Sequence, residues 1–189
     1  MNKTSRLLAL IVAIGAGLLA LPLTATAGNS FNHNVTVQVD SVLDITYEDN
    51  PDILMEFKND FATGALSAGK FINYKVRANN MTTGALSGAI TAKISQLVDG
   101  VDVVTAAGSM QYTNEGTSSN AVLVPTGSNA AVVIRTSPVA LFDKASGPAA
   151  PNGKILKGHA GVYYQAKALR DLNPSDGGTT ILTVTLKDS

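Results

Sequence analysis

Apolar and polar residues alternate with a period of two along much of this chain. From Phe71 to Ala78, the residues Ile72, Tyr74, Val76 and Ala78 share one parity while Asn73, Lys75 and Arg77 take the other. Ile90, Ala92 and Ile94 alternate in the same way with Thr91, Lys93 and Ser95. Near the end of the chain, Leu182, Val184 and Leu186 stand against Ile181, Thr183 and Thr185. Successive side chains of an extended strand point to opposite faces, so each run predicts a strand with one buried face. Shorter extended runs are predicted over residues 42–47, 53–57, 110–112, 121–124, 130–135 and 161–168. Asp99-Gly100, set between Leu97-Val98 and residues 101–104, predicts a hairpin. Residues 48–52, 63–69, 114–120, 125–128 and 143–153 are rich in Gly, Pro, Asn, Asp or Ser and predict turns and loops. Residues 166–172 leave room for one helical turn before Asn173-Pro174.

No sustained 3.6-residue apolar stripe interrupts these runs. The pattern therefore predicts an all-β antiparallel sandwich rather than βαβ units, which need helices between their strands. The five residues 63–67 recur as residues 83–87, but two copies are too few for a repeat array.

The N-terminus has a different character. Lys3 and Arg6 precede an apolar run over residues 7–23, and Ala25-Thr26-Ala27 supplies a small-x-small cleavage pattern. Residues 1–27 are predicted to be a signal peptide, with Gly28 opening the mature chain. No second apolar run approaches membrane length, so no membrane span is predicted in the mature chain. Cleavage leaves roughly 160 residues, enough for one domain, here residues 41–189, with a sizeable core. Residues 28–40 lead into it, and Val35, Val37 and Val39 alternate there with Asn34, Thr36 and Gln38. A half-apolar strand at a new N-terminus must pair with a sheet edge, its own or a neighbour's. The alternation does not choose between them.

Charge and chemistry exclude more than they assign. The chain has 14 basic and 14 acidic residues, and loss of Lys3 and Arg6 leaves a slight acidic excess. Nothing in that balance favours nucleic acid or an anionic membrane. The absence of cysteine rules out disulfides, thiol catalysis and thiolate metal sites. The two histidines, His33 and His159, have no ligand-spaced partner. No nucleophile elbow, zinc helix or phosphate loop is present. Asp44, Glu48, Asp49 and Asp52 could offer oxygens to calcium, but their spacing fits no calcium loop and reads as a solvated acidic turn. Asn34-Val35-Thr36 and Asn80-Met81-Thr82 match the glycan-acceptor pattern. No enzyme activity, metal or cofactor is expected.

The segment Asn34-Val35-Thr36-Val37-Gln38-Val39-Asp40-Ser41-Val42-Leu43-Asp44-Ile45 resembles the mature N-terminus of chaperone–usher fimbrial pilins. It is closest to the colonisation-factor (class 5, alpha) major subunits, and residues 178–186 are similar to the closing strand of such subunits. The likeness covers the two ends of the chain. It implies an immunoglobulin-like sandwich that lacks its last strand and is completed by the extension of the next subunit. On that reading Phe31, Val35, Val37 and Val39 are the donor knobs, and Leu182, Val184 and Leu186 line part of the acceptor groove. The implied partners are identical subunits in a filament, with a periplasmic chaperone and an outer-membrane usher. The implied location is an extracellular fimbria on the cell surface that supports adhesion. Two other classes compete with it. One is a self-contained exported β-sandwich that binds carbohydrate or a surface partner through residues 114–120; the other is an exported hydrolase.

Overall fold

The alternation at residues 71–78 becomes strand β2 (Lys70–Ala78), whose apolar parity turns into a buried core face. The computed structural model describes residues 42–47, 52–81, 88–146 and 153–187. Ten strands make up nearly all of its regular structure. They are β1 (Leu43–Tyr47), β2, β3 (Ile90–Ile94), β4 (Val101–Thr105), β5 (Gln111–Asn114), β6 (Leu123–Pro125), β7 (Val133–Ile134), β8 (Val139–Lys144), β9 (Leu156–Ala168) and β10 (Leu182–Leu186). A short 3-10 turn over Thr126–Asn129 is the only helical element among the described residues.

All ladders are antiparallel, and they form two sheets. The first runs β1-β2-β9-β4-β7, the second β10-β3-β8-β6. Strand β9, with 13 residues, organises the first sheet. It pairs with β2 along one edge and, on the other edge, with β5 along its first half and β4 along its second. One core lies between the sheets. Ile72, Tyr74, Val76, Val162 and Tyr164 reach it from the first sheet, and Ile90, Ile94, Leu141, Phe142 and Leu186 from the second. The Tyr74 hydroxyl donates to that of Tyr164 at 3.1 Å, so each phenol finds its partner inside the core. Burial pushes both hydroxyls above the ordinary tyrosine range, most strongly that of Tyr164.

Several local expectations change. Asp99-Gly100 does form a tight turn, with Gly100 at φ +73° and a single bridge between Val98 and Val101. The flanking strands β3 and β4 belong to different sheets, so the turn carries the chain over one end of the sandwich instead of closing a hairpin. Residues 53–57 are extended and alternate in burial, but they join no strand ladder. The strand expected from residue 161 begins five residues earlier and runs to Ala168, with no helical turn after it. The all-β antiparallel sandwich itself is as the alternation predicts.

The register gives the sandwich two distinct ends. At the lower end β1 begins beside Ala78, β9 begins at Leu156, and β10 finishes beside Ile90. At the upper end lie the β3–β4 turn, the close of β9 and the loop into β10.

Candidate functional site

Along one flank of the sandwich no described strand covers the core, and ladder parity shows where. In β1, Leu43, Ile45 and Tyr47 stand opposite Ala78, Val76 and Tyr74 of β2. Residues opposite one another in a ladder share a face. Ala78, Val76 and Tyr74 are all buried, with Val76 at 0% exposure, so that face is the core face. Leu43 and Tyr47 nevertheless remain 43% and 54% exposed, and Ile45 is only half-buried.

The same mismatch appears on the other sheet. Leu182, Val184 and Leu186 of β10 stand opposite Ile94, Ala92 and Ile90 of β3, all three buried. Leu186 is buried with them, while Leu182 and Val184 are half-buried and pack on the core from its rim. Thr183 and Thr185 point outward and are exposed, as the period-two pattern requires. Among the described residues β1 pairs only with β2, and β10 only with β3. The two strands thus face each other across an apolar rim that no described strand covers.

Residues 52–57 close the upper part of this flank. The Ala68 amide donates to the Glu56 carbonyl at 2.9 Å, and the Lys70 ammonium donates to the Asp52 carbonyl at 3.2 Å. These bonds hold the segment along the edge of the first sheet, where Ile53 and Met55 pack on the core. Residues 53–57 therefore read as a strand because alternate side chains are half-buried, although no ladder contains them.

The sequence candidates distribute as follows. The three groove residues Leu182, Val184 and Leu186 line the rim or the core beside it. The knobs Phe31, Val35, Val37 and Val39 lie outside the described residues, as do His33, Glu48 and Asp49. Leu43, Ile45 and Tyr47 were not singled out by sequence. Their role depends on which strand lies beside β1, and alternation within one strand does not carry that information. His159 sits on the outer face of the first sheet, with Nε2 2.9 Å from Glu115 and Nδ1 3.1 Å from the Asn73 amide. That arrangement ties β5 to β9 and β2. Residues 114–120 are bonded largely among themselves, with Asn114 and Thr117 as their hubs. Among the described residues no group of three or more His, Cys, Asp or Glu could hold a metal ion. No helix among them is long and apolar enough to cross a membrane.

Comparison of the chain with family models, with curated proteins and with solved structures finds no match.

Proposed function

We propose that this chain is a structural subunit of an extracellular fimbria in which residues 28–40 of each subunit fill the uncovered rim of its neighbour. One observation carries the reading: among the described residues, core-facing Leu43 and Tyr47 of β1 are exposed, and Leu182 and Val184 of β10 are only half-buried, along the same flank. An immunoglobulin-like sandwich lacking its final strand leaves such a flank.

A strand added along this rim would gain main-chain hydrogen bonds from the sheet edges and would bury side chains of one parity. Val35, Val37 and Val39 have that parity, with Phe31 two steps further out. Three buried valines contribute roughly 5–9 kcal/mol at about 1.5–3 kcal/mol each. Ordering the strand opposes this by about 1–2 kcal/mol per residue, which the ladder bonds help to offset. The contact joins two different surfaces of the same chain, so it does not close on itself and generates a filament. The signal-like residues 1–27 fit export to such a location. An open rim also suits a periplasmic chaperone that shields it before an usher assembles the subunits. Nothing in this role requires catalysis, a metal or a cofactor.

Deleting residues 28–40 should abolish polymerisation and leave a folded but less stable subunit. The same stretch added as a free peptide should raise its melting temperature, because a ligand that binds only the folded form stabilises it by mass action. Moving the stretch behind a flexible linker at the C-terminus should give a stable monomer. A deletion variant as stable as the intact chain, and indifferent to the peptide, refutes the proposal.

A further inference from the structure

The two ends of the sandwich differ in charge and both expose apolar side chains. The lower end carries Arg77, Lys154, Lys157 and Lys187, all exposed, beside Val42, Leu43 and Ile155. Among the described residues its exposed carboxylates are Asp44, which stands opposite Arg77, and Glu115, which is bonded to His159. The upper end carries Asp60, Asp99, Asp171 and Asp176 around Arg170, which bonds Asp99 and Asp176; Arg135, which bonds Asp102, and Lys93 and Lys167 are further exposed cations beside it. Phe61, Leu97 and Leu169 are exposed at that end, with Leu66 just below.

Chain connectivity limits how far apart two linked subunits can sit. Only Asp40, Ser41 and Val42 separate the last knob, Val39, from the first residue of β1. Fully extended, that spacer spans about 14 Å. With Val39 seated in a neighbour's rim, the donor's lower end must therefore lie against one end of the acceptor. Lower end against lower end would oppose the same lysines and arginine. Lower end against upper end places basic groups on carboxylates, and Val42, Leu43 and Ile155 against Phe61, Leu97 and Leu169.

We infer that the upper end of each subunit is a docking surface for the lower end of the next copy of this chain. The inference rests on the strand-donation reading and goes beyond it. The inserted strand supplies the link, and the end-to-end seat sets the angle and stiffness between successive subunits. Apolar area excludes water at the centre of the seat and the charges orient it from the margin.

The test uses the exported full-length chain, with polymer formation read by sedimentation and stiffness read as persistence length in electron micrographs. Leu97→Lys together with Leu169→Lys replaces exposed side chains, so the native circular dichroism spectrum should be kept. This pair should still polymerise, but into filaments with a severalfold shorter persistence length. Adding Lys154→Glu and Lys157→Glu to the same chain reverses the charge at the other end and should restore stiffness. Wild-type stiffness in the first variant, or no recovery in the four-site variant, overturns the end-to-end seat. The first variant failing to polymerise while the four-site variant polymerises normally supports it. Val37→Asp is the separate control: normal polymers from that variant, or a wild-type chain that stays monomeric, overturn strand donation itself.

Discussion

Val184→Asp separates the needs of a lone subunit from those of a polymer. Val184 faces the core opposite the buried Ala92, yet it is only half-buried because no described strand covers the rim. In a lone subunit the new carboxylate still reaches water. Folding should then lose little more than the partial burial of one valine, about 1 kcal/mol. Once a neighbour's strand covers the rim, the carboxylate loses that water. Its cross-strand partner Ala92 and its chain neighbours Thr183 and Thr185 offer no cation, and Lys93 lies on the opposite parity. The group would take up a proton instead, and a rise of about three pKa units costs about 4 kcal/mol at neutral pH. Subunit addition should therefore weaken about 1,000-fold. Because the carboxyl pKa is raised in the polymer, addition should recover as pH falls, approaching wild type below about pH 4. Thr185→Asp, one residue away but outward, should polymerise normally. Sedimentation of both variants across pH, with urea unfolding of the monomers, decides the matter. Equal effects from the two substitutions, or normal polymers from Val184→Asp at neutral pH, would refute the argument.

Other parts of the sandwich give sharper expectations about stability. Tyr164→Phe removes the acceptor of the Tyr74 hydroxyl and should cost about 1–3 kcal/mol in urea unfolding. The double variant Tyr74→Phe/Tyr164→Phe should cost less than the two single changes added together. Gly158→Ala places a methyl group 2.2 Å from the Thr113 carbonyl, a backbone atom of β5, and should destabilise by more than about 2 kcal/mol. Gly161→Ala meets first the tip of the exposed Phe71 ring, which can swing away, so thermal melting should shift far less. Burial, then the charge of Glu115, push the Tyr112 hydroxyl up to about 12, and burial likewise raises Tyr74 and Tyr164. The folded chain holds these protons more tightly than the unfolded one. Stability should be unaffected by them below about pH 10 and fall above it, as tyrosinate absorbance during alkaline titration would report.

The sequence was most readable where one face of a strand is buried and the other wet. Strands β2 and β10 emerge with the parity expected from alternation, because burial imposes the same period of two that the residues display, while in β3 Thr91 of the polar parity is buried too, beside a shift in register. Asp99-Gly100 shows the limit of local patterns. Its turn chemistry fixes a reversal but not whether the next strand rejoins the same sheet. Residues 53–57 alternate because half of them touch the core, and core contact does not require a ladder. The groove half of the candidate site was partly legible, since Leu182, Val184 and Leu186 share a parity on the closing strand. The β1 half was not, because the exposure of Leu43 and Tyr47 follows from what does not lie beside them.

Strand β9 also sets the timetable of folding. It is the shared partner of β2, β4 and β5, all of which precede it in the chain. Roughly 85 residues separate Lys75 from its partner His159, and such distant pairing favours slow folding, in the millisecond-to-second range. When the chain emerges N-terminus first, the edges of β2 and β4 that pair with β9 stay open until residues 156–168 follow. During that interval the molecule carries open edges on two strands at once. A helper that binds extended chain is then useful earlier than assembly, from the moment β2 appears until β9 is complete.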